Sequence, residues 1–407
     1  MNKKSFYKQI LIILIIFLNV IYIKAQEDIT SSKIILSSDI KTGSEQTERY
    51  LPWIKGKNIA IVANQSTTIH NTNLVDSLLS LGINIKKVFC PEHGFRGEAE
   101  AGETLKNKID IKTGLNVISL YGDNKKPKAE DLKGIDIIIF DVQDVGARFF
   151  TYISTMHYVM EACAENNVEF IVLDRPNPNG YYIDGPVLEP KFTSFVGMHP
   201  VPIVHGMTIA EYATMINDEG WLKNGVKCKL RYVTVYNYNH AYLYILPIKP
   251  SPNLMNMNAI YLYPSLCLFE GTVVSVGRGT NNPFQIVGNP QLENTDFEFT
   301  PHSIPGMAKD PLYNNKVCRG YNLSEYAINI LRNEKKMNLF WIMDFYKRLK
   351  DKGTFFTSFF DKLVGTDKLR NQIAEGVKED DIRKSWQPAL NKFKLMRKKY
   401  LLYPDFE

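Results

Sequence analysis

Ile135-Asp136-Ile137-Ile138-Ile139-Phe140 (IDIIIF) is the stretch that decides the fold. It is apolar at nearly every position, as a strand buried on both faces should be, and such strands belong to parallel sheets covered by helices on both sides. Working outward, Asn58 to Val62, Ile83 to Phe89, Asn116 to Leu120 and Val168 to Leu173 read as further strands. Asn73 to Leu81 and Phe150 to Asn166 carry helical patterns between them. Strand and helix alternating at this spacing means βαβ units and a parallel sheet. The expectation is an α/β protein whose Rossmann-like, parallel-sheet N-terminal domain carries the first half of the chain.

The second half is less regular. Pro247, Pro250 and Pro252 punctuate one stretch, and Pro264, Pro283 and Pro290 another. Leu230 to Tyr236 and Thr272 to Val276 read as short strands, and Leu323 to Arg332 as a helix. Ile382, Trp386, Leu390, Phe393 and Met396 fall at helical spacing, and the basic run Arg397-Lys398-Lys399 reads as a solvated helix end. The expected division is residues 1–25 as a leader, 26–200 as the Rossmann-like domain, and 201–407 as a smaller α/β C-terminal domain closing a cleft.

The formal net charge of +6 over 407 residues hints at a polyanion, but the first 25 residues explain it. They hold Lys3, Lys4, Lys8 and Lys24 and no acid, so taking four from 49 basic residues leaves 45 against 43 acidic, a net of +2. That is no footprint for nucleic acid. Lys3, Lys4 and Lys8 head an apolar run from Ile10 to Ile23, and Ala25 offers a small residue before Gln26, which is the layout of a signal peptide. The run is shorter than the roughly 20 residues of a spanning helix. An exported protein, periplasmic or secreted, with no membrane anchor after cleavage, is expected. Cys90, Cys163, Cys228, Cys267 and Cys318 lack the close pairing of a disulfide framework or zinc site and read as buried hydrophobes.

Ligands of open parallel sheets sit beyond the carboxyl ends of the strands, and unusual polar residues fall at those points. Pro91-Glu92-His93-Gly94-Phe95-Arg96-Gly97 follows one strand, Asp141-Val142-Gln143-Asp144-Val145-Gly146-Ala147-Arg148 a second, and Asp174-Arg175-Pro176-Asn177-Pro178-Asn179-Gly180 a third. Asp and Gly after a strand are also ordinary turn and cap residues, yet three such exits should converge on one cleft. Glu92, between Pro91 and His93 and near Phe89 and Phe95, is placed for partial desolvation, a raised pKa and general acid work. His93 either orients it or is structural. Asp144 is the first choice for a second carboxylate, ahead of Asp141, with Glu189 next. Arg96, Arg148 and Arg175 suit a carboxylate or phosphate on the ligand, or pair with neighbouring aspartates.

Other chemistries lack their signatures. The chain has no G-x-S-x-G elbow, no Walker A loop and no H-E-x-x-H, and Val276-Gly277-Arg278-Gly279-Thr280 lacks the third glycine of a dinucleotide loop. Close His pairs for a metal are also missing, so neither a metal nor an organic cofactor is expected.

The stretches P-E-H-G-F-R-G (91–97), D-V-Q-D-V-G-A-R-F-F-T-Y (141–152) and L-D-R-P-N-P-N-G (173–180) strongly resemble the NamZ-type exo-β-N-acetylmuramidases. The likeness continues through D-G-P-V-L-E (184–189), H-G-M-T (205–208), P-S-P-N (250–253), L-F-E-G-T (268–272), G-R-G-T (277–280) and the closing Ser385-Trp386 and Tyr400 to Tyr403, nearly the whole chain after the leader. The resemblance implies a Rossmann-like domain and a smaller α/β domain with the site between them. It also implies a glycosidase that removes N-acetylmuramic acid from non-reducing ends of peptidoglycan fragments, a saccharide partner that agrees with export. Glu92 matches the glutamate of P-E-H-G and is expected to be catalytic. Arg148 and Tyr152 match the A-R-F-x-T-Y element, and Asn253 and Arg278 the second-domain motifs; with His93, Arg96, Arg175, Asn177 and His205 they are the expected substrate-binding residues. Muramic acid carries a lactyl carboxylate, for which Arg148, Arg175 and Arg278 are the candidate readers, against ion pairs with Asp144, Asp174 or Glu270. Two departures stand out: Ser275-Val276-Gly277 where the family pattern reads S-E-G, and Leu254-Met255-Asn256 after P-S-P-N. A solute-binding protein and a metal-dependent envelope hydrolase are the rival readings.

Overall fold

A computed structural model of the chain describes residues 39–97 and 108–407. The expected leader lies outside the described residues. The central sheet contains β1 (Ile59–Val62), β2 (Ile85–Cys90), β3 (Lys108–Ile109), β4 (Asn116–Ser119), β5 (Ile137–Phe140), β6 (Glu169–Leu173) and β7 (Lys229–Val233). Its spatial order is β3-β4-β2-β1-β5-β6-β7. All neighbours pair parallel except the edge strand β3. Leaving β3 aside, the order is the doubly wound Rossmann arrangement, reversing direction between β1 and β5.

The IDIIIF stretch shows why the sheet is buried on both sides. Ile137 and Ile139 point into one apolar cluster, with Ile59, Ile61 and Val88. Ile138 and Phe140 point into the other, with Ala60, Val62 and Phe89. This is the period-2 alternation of a strand with two hydrophobic faces. The first cluster is covered by α1 (Leu74–Ser80), whose N-terminus is capped by the Asn73 side chain. The second is covered by α2 (Tyr152–Glu165) and α3 (Ile209–Asp218), the latter opened by a Thr208/Glu211 capping box. Because α3 and β7 complete the sheet, the Rossmann-like unit runs past the expected boundary at residue 200.

The remaining chain adds α4 (Met257–Leu266), an antiparallel sheet of β8 (Ile286–Asn289), β9 (Phe297–Phe299) and β10 (Cys318–Asn322), and helices α5 (Phe340–Leu349), α6 (Phe360–Val364), α7 (Lys368–Ala374) and α8 (Glu379–Arg397). Its apolar side chains, among them Phe269, Val274 and Phe345, join the second cluster, so one core runs from the sheet into this unit.

Three local expectations change. Residues 272–276 form isolated bridges, Thr272 with Phe356 and Ser275 with Gly288, because the glycines that follow turn the chain away before a strand develops. The helix at 323–332 is interrupted by a π-turn over Ala327–Leu331. Arg397 is not a solvated helix end but wholly buried. It donates to the Gly206 carbonyl (3.0 and 2.7 Å) and grips Asp405 through two bonds (2.7 and 2.8 Å). A guanidinium with five donors can saturate itself this way, where a lysine could not. All five cysteines are buried free thiols.

Candidate active site

Glu92 follows β2 in a tight turn closed by the Gly94 amide donating to the Pro91 carbonyl (3.1 Å). His93 completes the turn with a φ of 72°, a left-handed conformation uncommon for a residue with a side chain. Phe89 and Phe95, expected to desolvate Glu92, instead point into the two core clusters on opposite sides of the sheet. The carboxylate meets hydroxyls. Thr151 Oγ1 donates to Glu92 Oε2 at 3.4 Å. Thr151 stands at the N-cap of α2 without making a capping bond, so its hydroxyl is free to turn to Glu92. Tyr121, just past β4, lines the same cleft beside Glu92. Burial first, and then the adjoining carboxylate, push the Tyr121 hydroxyl pKa upward.

Glu92 lies at the wall of a cleft of about 720 Å³. Tyr121, Phe149, Thr151 and Phe195 come from the Rossmann-like unit, and Tyr263, Glu270, Arg278 and the segment 307–312 from the second. A smaller recess beneath it is shared by Glu92, His93, Tyr152, Ser251, Arg278 and Phe284. Tyr152 is buried and donates to the Pro250 carbonyl (3.0 Å), and Asn253 Nδ2 donates to the Met307 carbonyl (3.0 Å). The P-S-P-N segment thereby ties the far wall of the cleft to the sheet.

Arg278 lines the same recess as Glu92. Its Nε donates to Glu270 Oε1 at 2.5 Å, and its guanidinium stands 5.0 Å over the Phe284 ring. The flanking Gly277 and Gly279 have φ of 74° and 80°, and a Cβ on Gly279 would fall 2.5 Å from the His302 carbonyl oxygen. The Gly-Arg-Gly sequence is thus a backbone requirement for presenting the arginine. Val276, at the position where the resemblance led to an expected glutamate, is buried; Glu270 of L-F-E-G-T stands beside Arg278.

The other expected residues build the frame around the cleft rather than its lining. Asp141 and Arg175 pair with each other, and Arg175 also reaches Ser44 Oγ and the Thr68 carbonyl. Arg96 spans Asp76 and Asp110. Arg148 is fully buried and donates to four carbonyls, of Pro186, Val201, Leu363 and Val364, at 2.6–3.0 Å. Burial lowers its pKa to about 9, so it stays charged at neutral pH. Asn177 bonds the Met207 carbonyl and the Asn179 amide. His205 accepts from the Met207 amide, and burial, aided by Arg397 and Arg148, drops its pKa to about 3. Asp144 accepts from the Gly146 amide (2.7 Å), and burial lifts its pKa to about 7. Glu189 sits beside Lys368 and Thr366.

Tyr121, Thr151 and Tyr263 are cleft residues that the sequence did not single out, and Glu270 was expected only as an ion-pair partner, which it is for Arg278. Thr151 and Glu270 lie inside motifs already singled out, D-V-Q-D-V-G-A-R-F-F-T-Y and L-F-E-G-T, and that was their signal.

Two family models cover this architecture: "Exo-beta-N-acetylmuramidase NamZ, N-terminal" at residues 59–258 and its C-terminal counterpart at 261–403. The chain belongs to the NamZ exo-β-N-acetylmuramidase family. The NamZ models meet between residues 258 and 261, within α4, which agrees with a sheet unit extending past β7. The chain is 39% identical over 375 residues to the peptidoglycan β-N-acetylmuramidase NamZ of Bacillus subtilis, covering 87% of this chain and 89% of that protein. Among solved structures it resembles a DUF1343 family protein from Bacteroides fragilis with a TM-score of 0.84 and 47% identity, over 90% of this chain and 99% of that one. A second DUF1343 protein from the same organism matches with a TM-score of 0.74 and 29% identity, over the same shares.

Proposed function

We propose that the protein is an exo-acting glycoside hydrolase that releases N-acetylmuramic acid from the non-reducing ends of peptidoglycan fragments. The observation that carries this reading is Glu92, a carboxyl that accepts from the Thr151 hydroxyl and stands beside Tyr121 at the wall of a cleft between the two units of a NamZ chain. Cleavage of a glycosidic bond needs an acid for the leaving oxygen, together with a second carboxylate or the substrate's own acetamido group. Glu92 supplies the acid. Glu270 is the carboxylate nearest in role to the second, because it shares the cleft while Asp141 and Asp144 are buried in the frame.

The basic, apolar N-terminal segment supports export to the periplasm or beyond, where cell-wall fragments occur. Among the described residues no helix is long and apolar enough to cross a membrane, and no three His, Cys, Asp or Glu side chains gather as a ligand set. The test is to offer the protein a chromogenic N-acetylmuramic acid β-glycoside and its N-acetylglucosamine counterpart. Release of chromophore from the first, in preference to the second, supports the reading. Binding without release would favour a solute-binding protein, and loss of activity with a chelator a metal-dependent hydrolase.

A further inference from the structure

Three arginines of the family motifs suit a carboxylate on the substrate, and the structure separates them. Arg148 and Arg175 spend their donors on buried carbonyls and on Asp141. Arg278 uses its Nε on Glu270, and its two Nη groups make no hydrogen bond to another described residue. Its side chain keeps 28% of its exposure and lines both the open cleft and the recess that holds Glu92.

Charge makes this position decisive. Among the described residues the cleft lining carries Glu92, Glu270 and Asp310 against Arg278 and Lys309, a balance in which the carboxylate of an anionic sugar gains from meeting a cation. One edge of the Arg278 guanidinium is fixed by Glu270 and its face rests on Phe284, which leaves a second, preoriented edge for a planar carboxylate. Resting on the muramidase reading above, we propose that Arg278, presented by Gly277 and Gly279 and aligned by Glu270, binds the lactyl carboxylate and so distinguishes N-acetylmuramic acid from N-acetylglucosamine. A substrate lacking that carboxylate leaves the guanidinium edge unpaired in the occupied recess, and a site built for a charged partner rejects such analogues strongly.

The experiment compares two probes, 4-nitrophenyl β-N-acetylmuramic acid and the same glycoside with its lactyl carboxylate converted to a methylamide. The wild-type kcat/KM should favour the free acid by about ten- to a hundredfold, the range of a charge-assisted hydrogen bond. Arg278→Met should bring that preference close to one, and Arg278→Lys should restore part of it, which a merely structural arginine would not do. Thermal melting of each variant checks that it is folded. If the wild type cleaves both probes equally, or if Arg278→Met slows both in the same proportion, the inference is overturned while the muramidase reading stands. If Lys309→Met removes the preference and Arg278→Met keeps it, the reader is Lys309 and the inference fails. If the wild type cleaves neither probe, the muramidase reading fails and takes the inference with it.

Discussion

Arg175 and Asp141 form a buried two-point ion pair, Nε to Oδ1 at 2.6 Å and Nη2 to Oδ2 at 2.9 Å. The pair exists because β5 and β6 run side by side in register, Phe140 beside Val172, so that the residues leaving both strands meet above the sheet edge. Removing one partner strands a charge in the interior. Arg175→Met is expected to cost about 3–5 kcal/mol of stability in denaturant titration, and the Asp141→Leu/Arg175→Met double variant to recover part of the loss. A loss under 1 kcal/mol would contradict this role.

Arg148 fastens the Rossmann-like unit to α6, through the carbonyls of Leu363 and Val364. Arg148→Met leaves four buried carbonyls short of a donor and should lower the melting temperature by several degrees. Its preference for the free-acid over the methylamide glycoside should persist, since the side chain is closed off from the cleft. Loss of that preference at unchanged melting temperature would place Arg148 on the substrate after all.

Asp144 makes stability depend on pH in a direction opposite to a salt-bridged carboxylate. Burial raises its pKa to about 7, above the ~3.9 of an unfolded aspartate. The folded state therefore holds the proton over this window while the unfolded state releases it, and stability falls as pH rises toward 7. Asp144→Asn removes the titration while keeping the carbonyl that accepts from Gly146. Between pH 5 and 8 the wild type should lose about 2–3 kcal/mol relative to this variant in urea unfolding. Parallel stability curves would rule the shift out.

Tyr121 stands beside Glu92 in the cleft lining. Tyr121→Phe keeps the ring against Phe195, whose centroid is 6.3 Å away, and deletes the hydroxyl beside Glu92. The expected result is a fall in kcat of about tenfold with KM changed little, because the Tyr121 hydroxyl beside Glu92 orients the carboxyl toward the leaving oxygen. A rise in KM at constant kcat would make Tyr121 a substrate contact instead.

The sheet was legible because its signal is local: IDIIIF and its neighbours declare two-sided burial residue by residue. Glu92 was legible for the same reason, as a charged residue set at a strand exit. The partners were harder to read. Tyr121 and Glu270 reach the cleft from points 29 and 178 residues away from Glu92, a meeting that periodicity does not encode. Asp144 and Arg148 lie buried outside the cleft lining, because strand exits hold frame residues as well as cleft residues and sequence shows charge but not the direction a side chain takes. Arg397 misled through its neighbours, since Lys398 and Lys399 made a buried anchor look like part of an exposed run.

The central claim is that the Glu92 carboxyl carries the hydrolysis. Glu92→Gln keeps the shape and the contact from Thr151 but removes the titrating proton. The direct measurement is kcat/KM of this variant and of the wild type on the chromogenic N-acetylmuramic acid glycoside across pH, with melting temperature as a control on folding. A loss of at least ~100-fold is expected in a variant that melts within a few degrees of the wild type. Near wild-type turnover with an unchanged pH profile would contradict it.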